Sequence, residues 1–191
     1  VIGLKSALVL LAEGFEEIET CTIIDVLRRC NVHVVTAGLT PSPIMGGHGV
    51  SIVADEGVEE VSSEDFDAVI CPGGAPGFQN LRNDKRVLNL IRKAFQKGKL
   101  VAAICGAPVV LSDAGVLAGK ECTIYPGMEK ELEEGSGRPK KDAVVIDGNI
   151  ITSRGPATAF QFALALGEEL AGKERRKEVA KATLADKYIK M

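Results

Sequence analysis

Apolar positions along this chain gather into short continuous runs, separated by stretches in which they recur every three or four residues. Residues 7–11 form the first run and stop at Ala12-Glu13-Gly14, the pattern of a strand buried on both faces. Residues 16–29 then place Ile18, Cys21, Thr22, Asp25 and Arg29 at helical spacing, with glutamates at the start and Arg28-Arg29 at the end, as a helix dipole favours. Residues 33–37 predict a second strand, with either Val34 or His33 turned inward. Pro41, Pro43, Gly46, Gly47 and Gly49 break the next stretch, where residues 51–54 can add a peripheral hairpin strand. A third strand over 67–71 ends on Pro72-Gly73-Gly74-Ala75-Pro76-Gly77. Asp84 caps a helix predicted over 85–97, with Val87, Leu88, Ile91 and Phe95 as its apolar stripe and Gly98 as its end. The fourth strand, 100–104, runs into Cys105, and a helix follows over 107–114 with Gly115 as its stop.

Beyond it, residues 121–124 predict a strand leading to Tyr125-Pro126-Gly127, residues 128–134 a short acidic helix, and residues 135–141 a polar loop. Asp147-Gly148-Asn149 between two apolar runs marks a hairpin of 144–146 with 150–152. A helix over 157–170 and a charged terminal helix complete the chain. Strands alternating with helices throughout predict an α/β layered fold with a mostly parallel sheet, as one domain over residues 1–191. Ligands of such sheets bind outside the carboxyl ends of the strands. That rule can bring residues 13–19, Gly73-Gly74, Cys105 and Tyr125 to one edge; a scattered set of structural residues is the alternative.

Composition narrows the function. A net charge of -3 over 191 residues leaves no basic footprint for nucleic acid. The basic cluster at 173–177 is interleaved with Glu174 and Glu178, as on a solvated helix face. Five cysteines without Cys-x-x-Cys spacing argue against a disulfide framework and a structural zinc site. His33 and His48 are too few and too far apart for a histidine-rich metal site. No charged and then apolar leader pattern opens the sequence, and no apolar run approaches ~18 residues, so the expectation is a cytoplasmic protein without a membrane span.

Cys105 is the candidate for chemistry. A side chain on a sharp strand-to-helix turn is lifted out of the sheet, and Gly106 leaves room for a substrate and offers a backbone N–H to its oxygen. The opposing reading is a buried, inert cysteine. The glycines at 73–77 fit neither Gly-x-Gly-x-x-Gly nor a P-loop, and suit close backbone approach to something small.

Four ordered motifs then carry a resemblance: residues 11–20 (Leu-Ala-Glu-Gly-Phe-Glu-Glu-Ile-Glu-Thr), Pro72-Gly73-Gly74, Ala102-Ala103-Ile104-Cys105-Gly106, and Thr152-Ser153-Arg154-Gly155-Pro156. With Asp25-Val26-Leu27-Arg28-Arg29, they make nearly the whole chain resemble the ThiJ/PfpI superfamily, in the branch of Parkinson disease protein seven. The resemblance implies a flavodoxin-like three-layer sandwich with a nucleophile elbow, assembled as a homodimer. It makes Cys105 the reactive cysteine and oxidation site and Glu19 its acid/base partner. It also implies an oxyanion site at Gly74 and Gly106, with no cofactor or metal. Its activity would be glyoxalase or protein deglycase chemistry on glyoxal, methylglyoxal or their protein adducts, giving 2-hydroxy acids. The alternatives it carries are a redox-sensing stress protein or chaperone with a cysteine sulfinate, and a PfpI-type peptidase. Tyr125 departs from members that place a histidine near the cysteine, which weakens a Cys-His-acid triad. His48, Arg29 and Pro156 match positions that reach a partner's pocket across the family dimer; a solvent-exposed loop histidine is the other reading of His48.

Overall fold

The chain order is β1 (Ser6–Leu11), α1 (Glu17–Arg29), β2 (His33–Gly38), β3 (Ile44–Met45), β4 (Ser51–Ile52), β5 (Glu56–Gly57), β6 (Ala68–Cys71), α2 (Gly77–Arg82), α3 (Lys85–Gln96) and β7 (Leu100–Ile104). It continues as α4 (Pro108–Asp113), β8 (Glu121–Cys122), α5 (Glu129–Glu134), β9 (Arg138–Pro139), β10 (Val144–Asp147), β11 (Ile150–Ser153), α6 (Ala159–Ala171), α7 (Lys173–Ala182) and α8 (Ala185–Tyr188). The computed structural model describes residues 3–190, so residues 1, 2 and 191 of the expected domain lie outside the described residues.

Seven strands form the main sheet in the order β10-β11-β7-β6-β1-β2-β5, and every pairing except β10 with β11 is parallel. Because side chains alternate along a strand, each buried strand feeds two cores. Ala7, Val9 and Leu11 of β1 face one side, with Ile23, Val26 and Leu27 of α1 and Phe162 and Leu166 of α6. Leu8 and Leu10 face the other, with Leu81 of α2, Val87 and Ile91 of α3, and Val109 and Leu111 of α4. Helices therefore cover both faces, in the flavodoxin-like sandwich. Among the described residues no helix is long and apolar enough to cross a membrane.

Most expected elements are present, and the exceptions have physical causes. His33 is exposed and Val34 buried, which decides the orientation of β2. On α3 the buried face is Val87, Leu90, Ile91 and Ala94, an i, i+3, i+4, i+7 set, whereas Leu88 and Phe95 flank it half-buried. β8 stays outside the main sheet. It pairs in parallel with β9, inside the stretch expected as a polar loop, and meets β10 through the Glu121 N–H to Asp147 carboxylate bond of 2.9 Å. The helix expected from residue 157 begins at Ala159, because Pro156–Thr158 forms a 3-10 turn. The terminal helix divides into α7 and α8 at Leu184, whose φ is 63°.

Candidate active site

The carboxyl ends of β1, β6, β7 and β11 lie at one edge of the sheet, and the segments leaving them build the site. Cys105 ends β7 with φ 63°, left-handed backbone that costs an L-residue about 1–2 kcal/mol. Neighbours hold it there: its N–H donates to the Ser153 carbonyl at 3.1 Å, and its carbonyl accepts the Tyr125 N–H at 2.9 Å. The reversed backbone turns the half-buried side chain out of the sheet and toward the start of α1. Of the other cysteines, Cys30, Cys71 and Cys122 are buried and Cys21 is exposed. Burial alone pushes Cys71 up to about 12.

Glu19 comes from the first turn of α1 and is fully buried. The helix begins here because the Glu16 side chain caps it, accepting the Glu19 N–H at 2.7 Å. Two further bonds fasten this turn to the β6 loop: the Glu16 N–H donates to the Gly73 carbonyl at 2.9 Å, and the Gly73 N–H donates to Glu19 Oε2 at 2.8 Å. Gly73 has no room for a side chain, since a Cβ would lie 2.5 Å from that of Cys105. Gly74, at φ +94°, is pressed equally closely against Glu16 and Gly14.

Burial pushes the Glu19 carboxyl up to about 7, helped by the neighbouring Glu16 charge and opposed by the Gly73 N–H and the Cys105 thiol. Glu19 Oε1 is buried without a hydrogen-bond partner among the described residues, which favours the protonated acid. Burial, and then an ionised Glu19, push the Cys105 thiol up to about 12, against the Gly106 and Gly74 N–H groups, which favour the thiolate. A protonated Glu19 removes that charge and becomes a donor to sulfur. The two groups therefore compete for one negative charge, and a single proton can pass between them.

The Gly74 and Gly106 N–H groups, the positions expected to receive an oxyanion, act on the Cys105 thiol in favour of its charged form. Tyr125 is joined to Cys105 through its backbone; its ring is about half exposed and lies beside Gly155, next to the half-buried Pro156. His48 sits apart on the β3–β4 hairpin, where its Nδ1 meets Glu17 Oε2 at 2.9 Å. Arg29 lies at the far end of α1 in an ion pair with Asp25, ten residues or about 15 Å along the helix from Glu19. Among the described residues no hydrogen bond or ion pair joins His48 or Arg29 to Cys105 or Glu19. His33 begins β2 at the opposite edge of the sheet.

Sequence reasoning missed Phe78 and Glu17. The Phe78 ring covers Gly106, where a Cβ would sit 2.6 Å from Phe78 Cε1. The buried Glu17 carboxylate accepts the His48 and Val50 N–H groups and holds the hairpin beside the Gly74 loop. The run of glutamates at 16, 17 and 19 was the available signal, and helix-dipole logic alone did not separate their roles. Glu16, Glu17 and His48 bring potential ligand atoms within 4.8 Å of one another, but hydrogen bonds to Glu19, His48 and Val50 already occupy the two carboxylates.

The chain is similar to several known proteins over nearly its whole length. Protein dj-1beta of Drosophila melanogaster is 45% identical over 181 residues, 94% of this chain and 97% of its own. The glutathione-independent glyoxalase DJR-1.2 of Caenorhabditis elegans is 38% identical over 93% of this chain and 95% of its own. A deglycase of Pyrococcus horikoshii is 36% identical over 81% and 93%. The Drosophila DJ-1beta crystal structure superposes with a TM-score of 0.90 over 95% of this chain and 98% of its own, at 45% identity. Oxidized Toxoplasma gondii DJ-1 gives 0.89 over 94% and 98%, at 34% identity. The DJ-1/PfpI family model matches residues 5–169, from the first strand of the sheet into the helix that packs against α1, and the chain belongs to the DJ-1/PfpI family.

Proposed function

We propose that this protein is a cysteine-dependent glyoxalase or deglycase, acting on methylglyoxal, glyoxal or their adducts with protein amines and thiols. The observation that carries this reading is the fully buried Glu19 carboxyl, poised near neutrality beside an elbow cysteine that faces two backbone N–H groups. The glyoxalase and deglycase names of two relatives support it. Cys105 passes its proton to Glu19 as sulfur attacks the aldehyde carbon, and the Gly74 and Gly106 N–H groups receive the developing oxyanion. Glu19 then moves a proton from the former aldehyde carbon to the adjacent carbonyl carbon, turning the hemithioacetal into a thioester of the 2-hydroxy acid. Water cleaves the thioester, releasing the acid and restoring the thiol, so the sum is methylglyoxal plus water to lactate. Purified protein given methylglyoxal without glutathione is expected to form lactate in step with aldehyde loss; aldehyde loss without lactate would refute this reading.

The same arrangement favours a second reading, redox sensing. Two equivalents of peroxide would carry Cys105 to a sulfinate and release two waters; the influence of Glu19 and the Gly74 and Gly106 N–H groups on the sulfur supports a role for them in holding its oxygens. We further propose a cytoplasmic homodimer. Ile18, Met45 and Val50 are each half or more exposed around the Glu17–His48 contact, and a second copy would bury them. Sedimentation velocity is expected to give the mass of two chains at micromolar concentration; a single chain there would overturn the dimer.

A further inference from the structure

The oxyanion donors lie at the roots of two very short helices. α2 and α4 have six residues each, roughly 9 Å of helix, too short to be stable alone, so packing fixes their orientation. Each is tied to one donor. The Phe78 N–H of α2 donates to the Gly74 carbonyl at 2.8 Å, and the Val109 N–H of α4 reaches the Gly106 carbonyl at 3.4 Å. Near the sulfur the helices meet where the Phe78 ring covers Gly106. At the far end Arg82 joins them: its Nε donates to Asp113 Oδ2 at 2.7 Å and its Nη2 to Asp113 Oδ1 at 3.2 Å. Its Nη1 donates to Glu131 Oε2 of α5 at 2.6 Å.

We infer that Arg82 is a positioning residue for the reaction, clamping α2 to α4 so that the Gly74 and Gly106 N–H groups stay aimed at one oxyanion. Phe78 on Gly106 and Leu81 in the shared core hold the two helices together by apolar packing, which is non-directional; the Arg82 fork at the opposite end adds a directional tie between them. A guanidinium with parallel bonds to one carboxylate fixes an angle as well as a distance, which an ammonium does not. The clamp is roughly one third exposed, so its weight in overall stability is small. Its leverage on donor alignment is larger, because misplacement by ~1 Å can cost ~100-fold in rate.

Only the turnover arm of the test rests on the proposed dicarbonyl chemistry. Arg82→Gln and Arg82→Lys are compared with wild type and with Arg86→Gln, which breaks the surface pairs of Arg86 with Asp84 and Glu59. The readouts are the pH dependence of Cys105 alkylation by iodoacetamide and the kcat and KM for methylglyoxal. For Arg82→Gln we expect the alkylation midpoint to move to higher pH, kcat to fall about tenfold and KM to change less than about twofold. Arg82→Lys should fall between Arg82→Gln and wild type, and Arg86→Gln should match wild type. A wild-type alkylation profile and kcat in Arg82→Gln, whatever its melting temperature, overturns the proposal. If wild type forms no lactate, the dicarbonyl reading fails while the alkylation profile still decides the role of Arg82. Should Arg82→Gln not fold, Asp113→Asn removes the fork's charged partner at nearly constant shape and is read in the same way.

Discussion

Cys105→Ala is expected to lower methylglyoxal turnover by at least ~10³-fold while leaving the fold intact, because the covalent route has no other nucleophile at the site. Alanine keeps the L-residue cost of φ 63°, and the side chain is only half-buried, so melting should shift by no more than a few degrees. The variant also separates the two functional readings. Under mild peroxide, intact mass should show two added oxygens on wild type and none on Cys105→Ala. Oxygen found on Cys21 in both proteins would remove the sensor reading and leave the enzyme untouched. Wild-type lactate formation by Cys105→Ala would remove the enzyme.

Glu19→Gln is expected to have two effects, on turnover and on stability, that share one cause. Glutamine can donate to sulfur but cannot take up or return a proton, so turnover should fall by roughly 10²–10⁴-fold. Wild-type turnover should rise as pH passes about 7, where the buried pair releases the first of its two protons and keeps the one that passes from Cys105 to Glu19, and the residual rate of the variant should lack that limb. Stability should move as well. Burial raises the Glu19 carboxyl from 4.5 to about 7, so the folded protein binds this proton more tightly than the unfolded chain does. The stabilisation is complete below about pH 4.5, is lost as pH rises to about 7, and then stays flat, a change of roughly 3 kcal/mol. Urea unfolding at pH 5 and pH 8 should show wild type losing most of that amount relative to Glu19→Gln. Parallel changes in the two proteins would mean that Glu19 is charged throughout this range.

These effects also mark how far the sequence reached. The buried strands were legible because continuous apolar runs bounded by turn residues admit few other placements, and the cap at Asp84 followed from local chemistry. α2 was not foreseen: it starts at Gly77 behind Ala75-Pro76, where composition signals only a turn, and its order comes from Leu81 and Phe78 packing. The two-residue strands β5 and β9 are held by backbone pairing and carry no side-chain period to detect, whereas β8 falls inside the strand expected over 121–124. At the site, periodicity placed Cys105 at a strand end and the strand-end rule brought residues 13–19 to the same edge, but only the family motifs singled out Glu19, 86 residues earlier in the chain, as its partner. Phe78 and the Arg82 fork escaped notice because their roles arise where two helices meet, and neither helix signals the other in its own residues.

The left-handed backbone at Cys105 sets two selective pressures against each other at one position. Glycine adopts φ 63° without penalty, so a lineage released from the need for a thiol there would gain on the order of 1 kcal/mol by exchanging cysteine for glycine. Every folded copy bears that cost whether or not a substrate arrives. Mutation toward stability therefore runs directly toward loss of chemistry at this corner, and cysteine persists there only as long as its sulfur is used.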